Sequence, residues 1–338
     1  MVNENGPTFV TLGMFIIDEF IFLNDQGQPT GRTLAPQIGG GGTYAAIGAR
    51  IWLPARQIGM IVDKGHDFPV LIHRELLRYG PDMWNFREQE TGTTRALNSY
   101  RGDHRNFEYL TPRIRITPRD LSNSKLENCA MLHFICSPTR ANAIMSEIHE
   151  VNGWAPTTIY EPIPDRCVPE ELPSLTKVLP FISILSPNAE EALALLSLPL
   201  PPTRSSIERA AGMFLDIGVG TEGGGWVIIR SGGMGAYLKA RNTEGLWVNA
   251  FWTNKDAGKI VDVTGAGNSF LGGLAAGLFF TSGNVEEATL YATVSASFTI
   301  EQEGLPTVIQ SPDLSQEKWN DDSPQRRLEL LKMRHRKQ

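Results

Sequence analysis

The segment VDVTGAGNSFLGG, residues 261–273, has the composition of a phosphate-binding turn. A helix beginning near Asn268 is predicted from apolar residues at positions i, i+4 and i+8, namely Phe270, Leu274 and Leu278. The first N–H groups of a helix have no intrahelical partner and carry partial positive charge, so they attract anions. The preceding Gly265, Ala266 and Gly267 would let a phosphate approach these groups closely.

The elements around this turn leave one alternative open. Val261 and Val263 suit the end of a strand, so we predict a strand, a glycine turn and a helix in succession. The same pattern also fits a tight connection that binds no ligand. It is not a Walker A loop, because no Gly-Lys-Ser/Thr follows, and it lies too near the C-terminus for a dinucleotide fingerprint.

Four other segments carry glycines or polar side chains at regular spacing. They are LGMFIIDEF with Gly13 and Asp18, GGGGTYAAIGARIW from Gly39, LSPNAEEALALL with Asn188 and Glu191, and IIRSGGMGAYL with Gly232 and Gly235. Together with VDVTGAGN, these segments resemble the signatures of the PfkB (ribokinase-like) carbohydrate kinases, which include D-T-x-G-A-G-D, N-x-x-E and T-x-G-x-x-G. Order and spacing match over residues 9–309, and the run N-S-F-L-G-G is similar to a divergent fungal branch of the family.

The resemblance implies a Rossmann-like, doubly wound α/β fold with a mostly parallel sheet and a small β-sheet lid. It implies ATP as donor, Mg²⁺, and transfer of a phosphoryl group to a hydroxyl of a sugar or nucleoside. The implied site residues are Gly265, Ala266 and Gly267 as anion hole; Asn188, Gly232 and Gly235 on the nucleotide side; Glu191 for Mg²⁺ through water; Asp262 near a monovalent cation such as K⁺; and Asp18, Gly40 and Gly41 for the acceptor. Arg230 on the nucleotide side and Tyr44 on the acceptor side are further candidates, at positions where this chain departs from the family.

Position 268 departs from the family pattern. The family's base is the final Asp of the signature, whereas this chain has Asn268. An amide can accept a hydrogen bond from the acceptor hydroxyl but cannot carry its proton. General-base assistance contributes about 10²–10⁴-fold, whereas much of phosphoryl transfer comes from positioning and electrostatics. Residual activity is therefore physically reasonable, and full activity would need another base, for which Asp262 and Asp18 are candidates.

Three further positions differ. Tyr44 stands where the family commonly has Asn, and its ring either stacks on a ligand or fills the pocket. Arg230 replaces the Thr of T-x-G-x-x-G and either bonds a nucleotide phosphate or points outward to a surface carboxylate. Val263 replaces a hydroxyl residue, which removes a side-chain contact and leaves the backbone turn possible.

Composition excludes several classes of protein. A net charge of −6 argues against a general nucleic-acid binder. The three cysteines form no C-x-x-C pair, and the histidines show no metal-ligand spacing. No apolar run approaches 18 residues, and the N-terminus MVNENGPT lacks the features of a signal peptide. We therefore expect a cytoplasmic protein without membrane contact.

From about residue 128, strand and helix patterns alternate, which is typical of a parallel sheet covered by helices on both faces. We predict one domain over residues 1–320, with lid strands near 18–38 and 93–112. Residues 321–338 are expected to form a basic C-terminal tail, either a solvated helix or a segment that contacts RNA or a protein partner. The resemblance also implies a homodimer through the lid.

Three functional hypotheses follow. The first is an ATP-dependent kinase of a sugar or nucleoside. The second is a pseudokinase that binds nucleotide or metabolite and acts through a partner. The third is a scaffold that has lost nucleotide binding as well; the retained Asn188 and Glu191 argue against it, because their implied role requires bound phosphates and Mg²⁺.

Overall fold

The computed structural model describes residues 6–101 and 104–336. Its strands are β1 (Phe9–Thr11), β2 (Ile16–Leu23), β3 (Gln37–Gly39), β4 (Ile58–Lys64), β5 (Trp84–Glu88), β6 (Arg95–Arg101), β7 (His104–Tyr109), β8 (Met131–Cys136), β9 (Thr157–Pro162), β10 (Ile184–Leu185), β11 (Trp226–Arg230), β12 (Ala236–Ala240), β13 (Leu246–Val248), β14 (Val308–Ile309) and β15 (Lys318–Trp319). Its α-helices are α1 (Gly41–Arg50), α2 (Val70–Leu77), α3 (Pro138–Glu150), α4 (Leu172–Val178), α5 (Ala189–Leu195), α6 (Arg204–Ile217), α7 (Ala266–Phe280), α8 (Val285–Thr299) and α9 (Pro324–His335).

The main sheet has nine strands in the order β13-β12-β11-β10-β9-β8-β1-β4-β5. All neighbours are parallel except β11–β12 and β12–β13. Successive side chains of a strand point to opposite faces, so Phe9 and Ile228 join the core beneath α1, α7 and α8, whereas Val10 and Val227 join the core beneath α3 to α6. The predicted doubly wound α/β fold is confirmed.

A second sheet with the order β3-β2-β6-β7 stands apart from the first. Strands β2 and β6 are parallel, and the outer pairs are antiparallel. Its strands overlap the two regions expected to form the lid, with β2 beginning at Ile16 and β3 ending at Gly39. Residues 102 and 103 of the predicted β6–β7 turn are outside the described ranges. Asp18 lies on β2, opposite Gln37 of β3 and Ala96 of β6.

Glycines bring α7 close to α1 at the edge of the site. A Cβ on Gly48 would lie 2.1 Å from the carbonyl oxygen of Ser269, and one on Gly272 would lie 1.8 Å from that of Ala45. Such contacts are possible only without side chains. The two helices therefore begin side by side, which places Asn268 near Gly41.

The predicted strand over Val261 and Val263 is wrong. These residues follow a 3₁₀ turn at Asn254–Lys259 and form an irregular segment, with both side chains more than half exposed. Valine favours a strand only where a neighbouring strand and a buried face are available, and here neither is present among the described residues.

The C-terminal segment also differs from expectation. Helix α9 is not solvated on all sides, because Leu328, Leu331 and Arg327 are buried against the core that includes α8. Residues 337 and 338 of the predicted tail, and residues 1–5 of the polar N-terminus, lie outside the described ranges. Within those ranges, no helix is both long enough and apolar enough to cross a membrane.

Candidate active site

The candidate site lies at the carboxyl ends of the central parallel strands, where open α/β sheets bind ligands. Glu161 is near the end of β9, Arg230 ends β11, and Asn188 follows β10. Glu161 and Arg230 lie against the first turn of α7, which carries Asn268, and Asn188 lines the same cavity.

The start of α7 has the geometry of an anion-binding turn. Gly265 is in the left-handed region with φ 75°, and α7 begins at Ala266, two residues before the predicted start. A Cβ on Gly265 would lie 2.2 Å from Cγ of Tyr44. The Asp262 carboxylate accepts a 2.9 Å hydrogen bond from the Thr264 N–H and so orders the turn.

Tyr44 fills space beneath the turn. It is only 4% exposed, and its ring lies against Gly265. Of the two roles predicted for this ring, the structure therefore favours filling the pocket over stacking on a ligand.

Arg230 points inward instead of toward a surface carboxylate. Its Nη2 donates to Glu161 Oε1 at 2.8 Å and to the Ser186 carbonyl oxygen at 3.0 Å, and it lies 3.7 Å from Glu191 Oε2. A Cβ on Gly267 would lie 2.1 Å from Nη1, so the missing side chain at 267 makes room for the guanidinium at the helix start.

Asn268 is bonded to a buried carboxylate. Its Nδ2 donates to Glu161 Oε2 at 2.7 Å. A carboxylate of this kind only accepts, so the bond fixes which end of the amide faces Glu161 and leaves Oδ1 on the other side. A Cβ on Gly41 would lie 3.1 Å from Nδ2, so this glycine leaves room for the amide.

Glu161 is ionised although it is buried. Burial alone would raise the pKa of its carboxyl, but the Arg230 guanidinium and the His133 ring, with Nε2 3.7 Å from Oε2, lower it. The resulting pKa lies below the ordinary value. The site therefore holds a fixed negative charge next to Asn268.

The glycine run connects Asn268 to Asp18. A Cβ on Gly39 would lie 1.9 Å from Asp18 Oδ2, and Gly40 has φ 92°. Asn98 Nδ2 donates to Asp18 Oδ1 at 3.1 Å. Asp18 and Asn268 thus lie against the first and third residues of the run Gly39–Gly41.

Asn268 also lines a cavity of about 370 Å³. One part of its wall is apolar and includes Phe251, Trp252 and Ile300. Its polar and glycine residues include Asn188, Arg230, Ser231, Gly232, Gly233, Gly235, Gly267 and Asn268. The cavity therefore offers apolar side chains and one guanidinium, that of Arg230, to a ligand.

Comparison with known proteins identifies the family. Residues 87–311 match the pfkB family of carbohydrate kinases. An uncharacterised protein of Schizosaccharomyces pombe is 34% identical over 350 residues, covering 95% of this chain and 91% of the relative. This chain belongs to the pfkB family.

Two solved structures share the fold of this pfkB protein. Arabidopsis thaliana ribokinase complexed with ribose and ATP has a TM-score of 0.66 at 17% identity and covers 97% of this chain and 99% of its own. A putative ribokinase II from E. coli in complex with ATP and Mg²⁺ has a TM-score of 0.64 at 19% identity, with 97% and 100% covered.

The pfkB N-x-x-E pair has a structural role that the sequence analysis did not recognise. Asn188 caps α5 and accepts the Glu191 N–H at 2.8 Å, while Glu191 accepts both the backbone and side-chain N–H of Asn188 at 2.7 Å. The expectation that this pair has a role only with bound phosphates and Mg²⁺ is therefore wrong. Its retention alone does not demonstrate nucleotide binding.

The residues present fit a nucleotide phosphate, and they fit Mg²⁺ only indirectly. Arg230 Nε is buried without a hydrogen-bond partner in the described part of the chain, beside the cavity and the start of α7. No group of three or more His, Cys, Asp or Glu side chains in that part could hold a metal ion. Mg²⁺ commonly keeps several waters and binds phosphate oxygens, so Glu191 could contact it through water.

Glu161 is the site residue that sequence analysis missed. It is separated from Asn268 by 107 positions, and no motif includes it. The available signal was a carboxylate at the carboxyl end of the apolar strand TTIYEP, where a buried charge requires a partner.

Glu191 gives a prediction about pH. Burial raises the pKa of its carboxyl from 4.5 to about 7. The folded protein then holds this proton more tightly than the unfolded chain, so the stabilisation is complete below pH 4.5 and is lost as pH rises to about 7. Glu191→Gln removes this titration, so we expect the wild type to lose up to about 3 kcal/mol more unfolding free energy than the variant across that range.

Urea unfolding between pH 4 and 8 measures this difference. Glu190→Gln is the matched control, because Glu190 is the exposed neighbour in the same helix turn. Its curve should parallel that of the wild type. Parallel curves for the wild type and Glu191→Gln would contradict the raised pKa.

Proposed function

We propose that this chain is an ATP-dependent phosphotransferase that transfers the γ-phosphate to a hydroxyl of a sugar or nucleoside. One observation carries the proposal. Asn268, at the start of α7, lines the cavity and also lies against the glycine run that contacts Asp18. A donor in the cavity and an acceptor beside Asp18 would therefore meet at Asn268.

The donor side is built for a nucleotide. The apolar wall near Phe251, Trp252 and Ile300 would hold the base, and the start of α7 with Arg230 would hold the phosphates. Gly232 and Gly235 form the turn that follows Arg230, and both have positive φ. Glu191, through water, would hold Mg²⁺ beside the phosphates, and the ion would supply neutralisation of the negative charge that develops on them.

The acceptor side would use Asp18 and Asn268. The Asp18 carboxylate can accept hydrogen bonds from two hydroxyls together. Asn268 Oδ1 would accept the hydrogen bond of the attacking hydroxyl and align its oxygen with the phosphorus. Because the transition state is loose, the hydroxyl can keep its proton until late, and the transferred phosphoryl group can take it.

The proposal also covers the compartment, a monovalent cation and the partners of this protein. Cys129, Cys136 and Cys167 are free and buried, which agrees with a reducing compartment, and we place the enzyme in the cytoplasm. The monovalent cation near Asp262, the homodimer through the lid and the protein partner at the C-terminal segment stay predictions.

A pseudokinase is the second candidate, and the pairing of Arg230 favours it. The guanidinium already bonds Glu161 and lies 3.7 Å from Glu191, so a phosphate must compete with carboxylates for its charge. This candidate predicts binding of Mg-ATP without transfer.

Transfer of the γ-phosphate to a panel of sugars and nucleosides tests the proposal. We expect the wild type to exceed the protein-free rate with at least one acceptor. Asp18→Asn should lower kcat/KM for that acceptor by about 10–100-fold, because a hydrogen bond to a charged group contributes about 1.5–3 kcal/mol. The affinity of Asp18→Asn for Mg-ATP should equal that of the wild type.

Asp25→Asn is the matched control, since Asp25 lies on an exposed turn after β2. It should transfer phosphate as the wild type does. If the wild-type protein binds Mg-ATP but transfers phosphate to no acceptor, the kinase proposal is wrong and the pseudokinase replaces it.

A further inference from the structure

We propose that Glu161 is a positioning residue that orients the Asn268 amide and requires an amide at position 268. The inference rests on the proposed transfer reaction. It concerns the contact between Glu161, which lies outside the family motifs in this chain, and Asn268 at the end of one of them.

The hydrogen bonds around Glu161 define the orientation. Oε1 accepts from Arg230 at 2.8 Å, and Oε2 accepts from Asn268 Nδ2 at 2.7 Å. Both partners donate, and the carboxylate supplies the two acceptors that they need. Asn268 Oδ1 therefore faces away from Glu161. In that orientation it can accept a hydrogen bond from an attacking hydroxyl.

The same contact explains why the family's Asp would be unfavourable here. An Asp at 268 would place a second carboxylate within hydrogen-bond distance of Glu161 Oε2. Two carboxylates this close cannot both ionise, so they would share a proton. In this site the negative charge is at position 161 and the amide at position 268.

Glu161→Gln would reverse the amide of Asn268. The Arg230 guanidinium attracts the carbonyl oxygen of the introduced glutamine, so the NH₂ group of that glutamine faces position 268. Asn268 must then turn its own oxygen toward that NH₂ group and present Nδ2 to the hydroxyl. The acceptor of the hydroxyl hydrogen bond is lost, although both positions keep a side chain of the same size.

The double variant Glu161→Gln, Asn268→Asp would again give each hydrogen-bond donor between positions 161, 230 and 268 an acceptor. The glutamine at position 161 would accept from Arg230 and donate to the carboxylate at position 268, whose second oxygen faces the hydroxyl. This carboxylate can also take the proton of the hydroxyl as the oxygen–phosphorus bond forms.

Four proteins test the inference: the wild type, Glu161→Gln, Asn268→Asp and the double variant. The measurements are kcat and KM for γ-phosphate transfer, Kd for Mg-ATP, and thermal unfolding. We expect each single variant to lower kcat by about 10–100-fold with a smaller change in the KM of the acceptor. The double variant should recover at least the wild-type kcat.

Each outcome decides the question. Additive losses, with the double variant slower than either single variant, would show a merely structural role and overturn the inference. If Glu161→Gln does not fold, Asn268→Asp is compared with the double variant. The inference then requires the double variant to have the higher kcat. If the wild type transfers nothing, the proposed function fails, and the positioning role fails with it.

Discussion

Gly265→Ala is expected to lose more than about 3 kcal/mol of folding stability and all measurable Mg-ATP binding. Two effects combine. Gly265 has φ 75°, where a side chain costs about 1–2 kcal/mol, and its Cβ would lie 2.2 Å from the Tyr44 ring. Tyr44 is buried and cannot move without disturbing α1, so the turn at the start of α7 would have to change.

Chemical denaturation and calorimetric titration with Mg-ATP measure both effects. Gly212→Ala is the matched control, because Gly212 lies inside α6 and a Cβ there meets nothing within 4 Å. That variant should be neutral or more stable by about 0.5–1 kcal/mol and should bind Mg-ATP normally. If Gly265→Ala binds Mg-ATP with the affinity of the wild type, the turn is not the phosphate site.

Arg327→Ala is expected to destabilise the protein by about 3–5 kcal/mol, because it removes a buried guanidinium that bonds two partly buried carboxylates and packs on an aromatic ring. Arg327 is 2% exposed and bonds Glu301 at 2.9 Å, Asp322 at 2.8 Å and Ser297 at 3.0 Å. Its guanidinium also lies 3.7 Å from the centroid of the Phe298 ring. The residue therefore connects α9 to α8.

Urea unfolding of Arg327→Ala beside Arg336→Ala measures this contribution. Arg336 is exposed at the end of α9, and its replacement should change stability by less than about 0.5 kcal/mol. Equal effects of the two substitutions would mean that α9 is the solvated segment that its composition suggests.

The sequence predicted the fold and the turn more completely than the contacts within the site. Alternating strand and helix patterns predicted the doubly wound sheet because each pattern is local. The helix after Gly265 was also readable, since apolar spacing and glycines are local signals. Its start was misplaced by two residues, because the cap depends on the φ of Gly265.

The features that were missed depend on distant parts of the chain. Glu161 meets Asn268 only when β9 and α7 are brought together, and neither local sequence indicates the other. The sequence alone did not decide whether the Tyr44 ring stacks on a ligand or fills the pocket, because the choice depends on its packing against Gly265. Val261 and Val263 lack a strand partner among the described residues, which β-propensity cannot reveal.

The site also corrects how the missing Asp at position 268 is understood. Seen in sequence, Asn268 is a loss of the family's base. In the structure it is one member of a bonded set with Glu161 and Arg230, in which the two Glu161 oxygens accept from Arg230 and from Asn268. The amide is therefore the residue that this site requires, and restoring Asp alone would be the wrong test of lost activity.

The most direct measurement is γ-phosphate transfer by the unaltered protein, with Mg-ATP in excess and the sugar and nucleoside panel as acceptors. We expect at least one acceptor to be phosphorylated at a rate well above that of the protein-free reaction. Bound Mg-ATP with no phosphorylated product from any acceptor would contradict it.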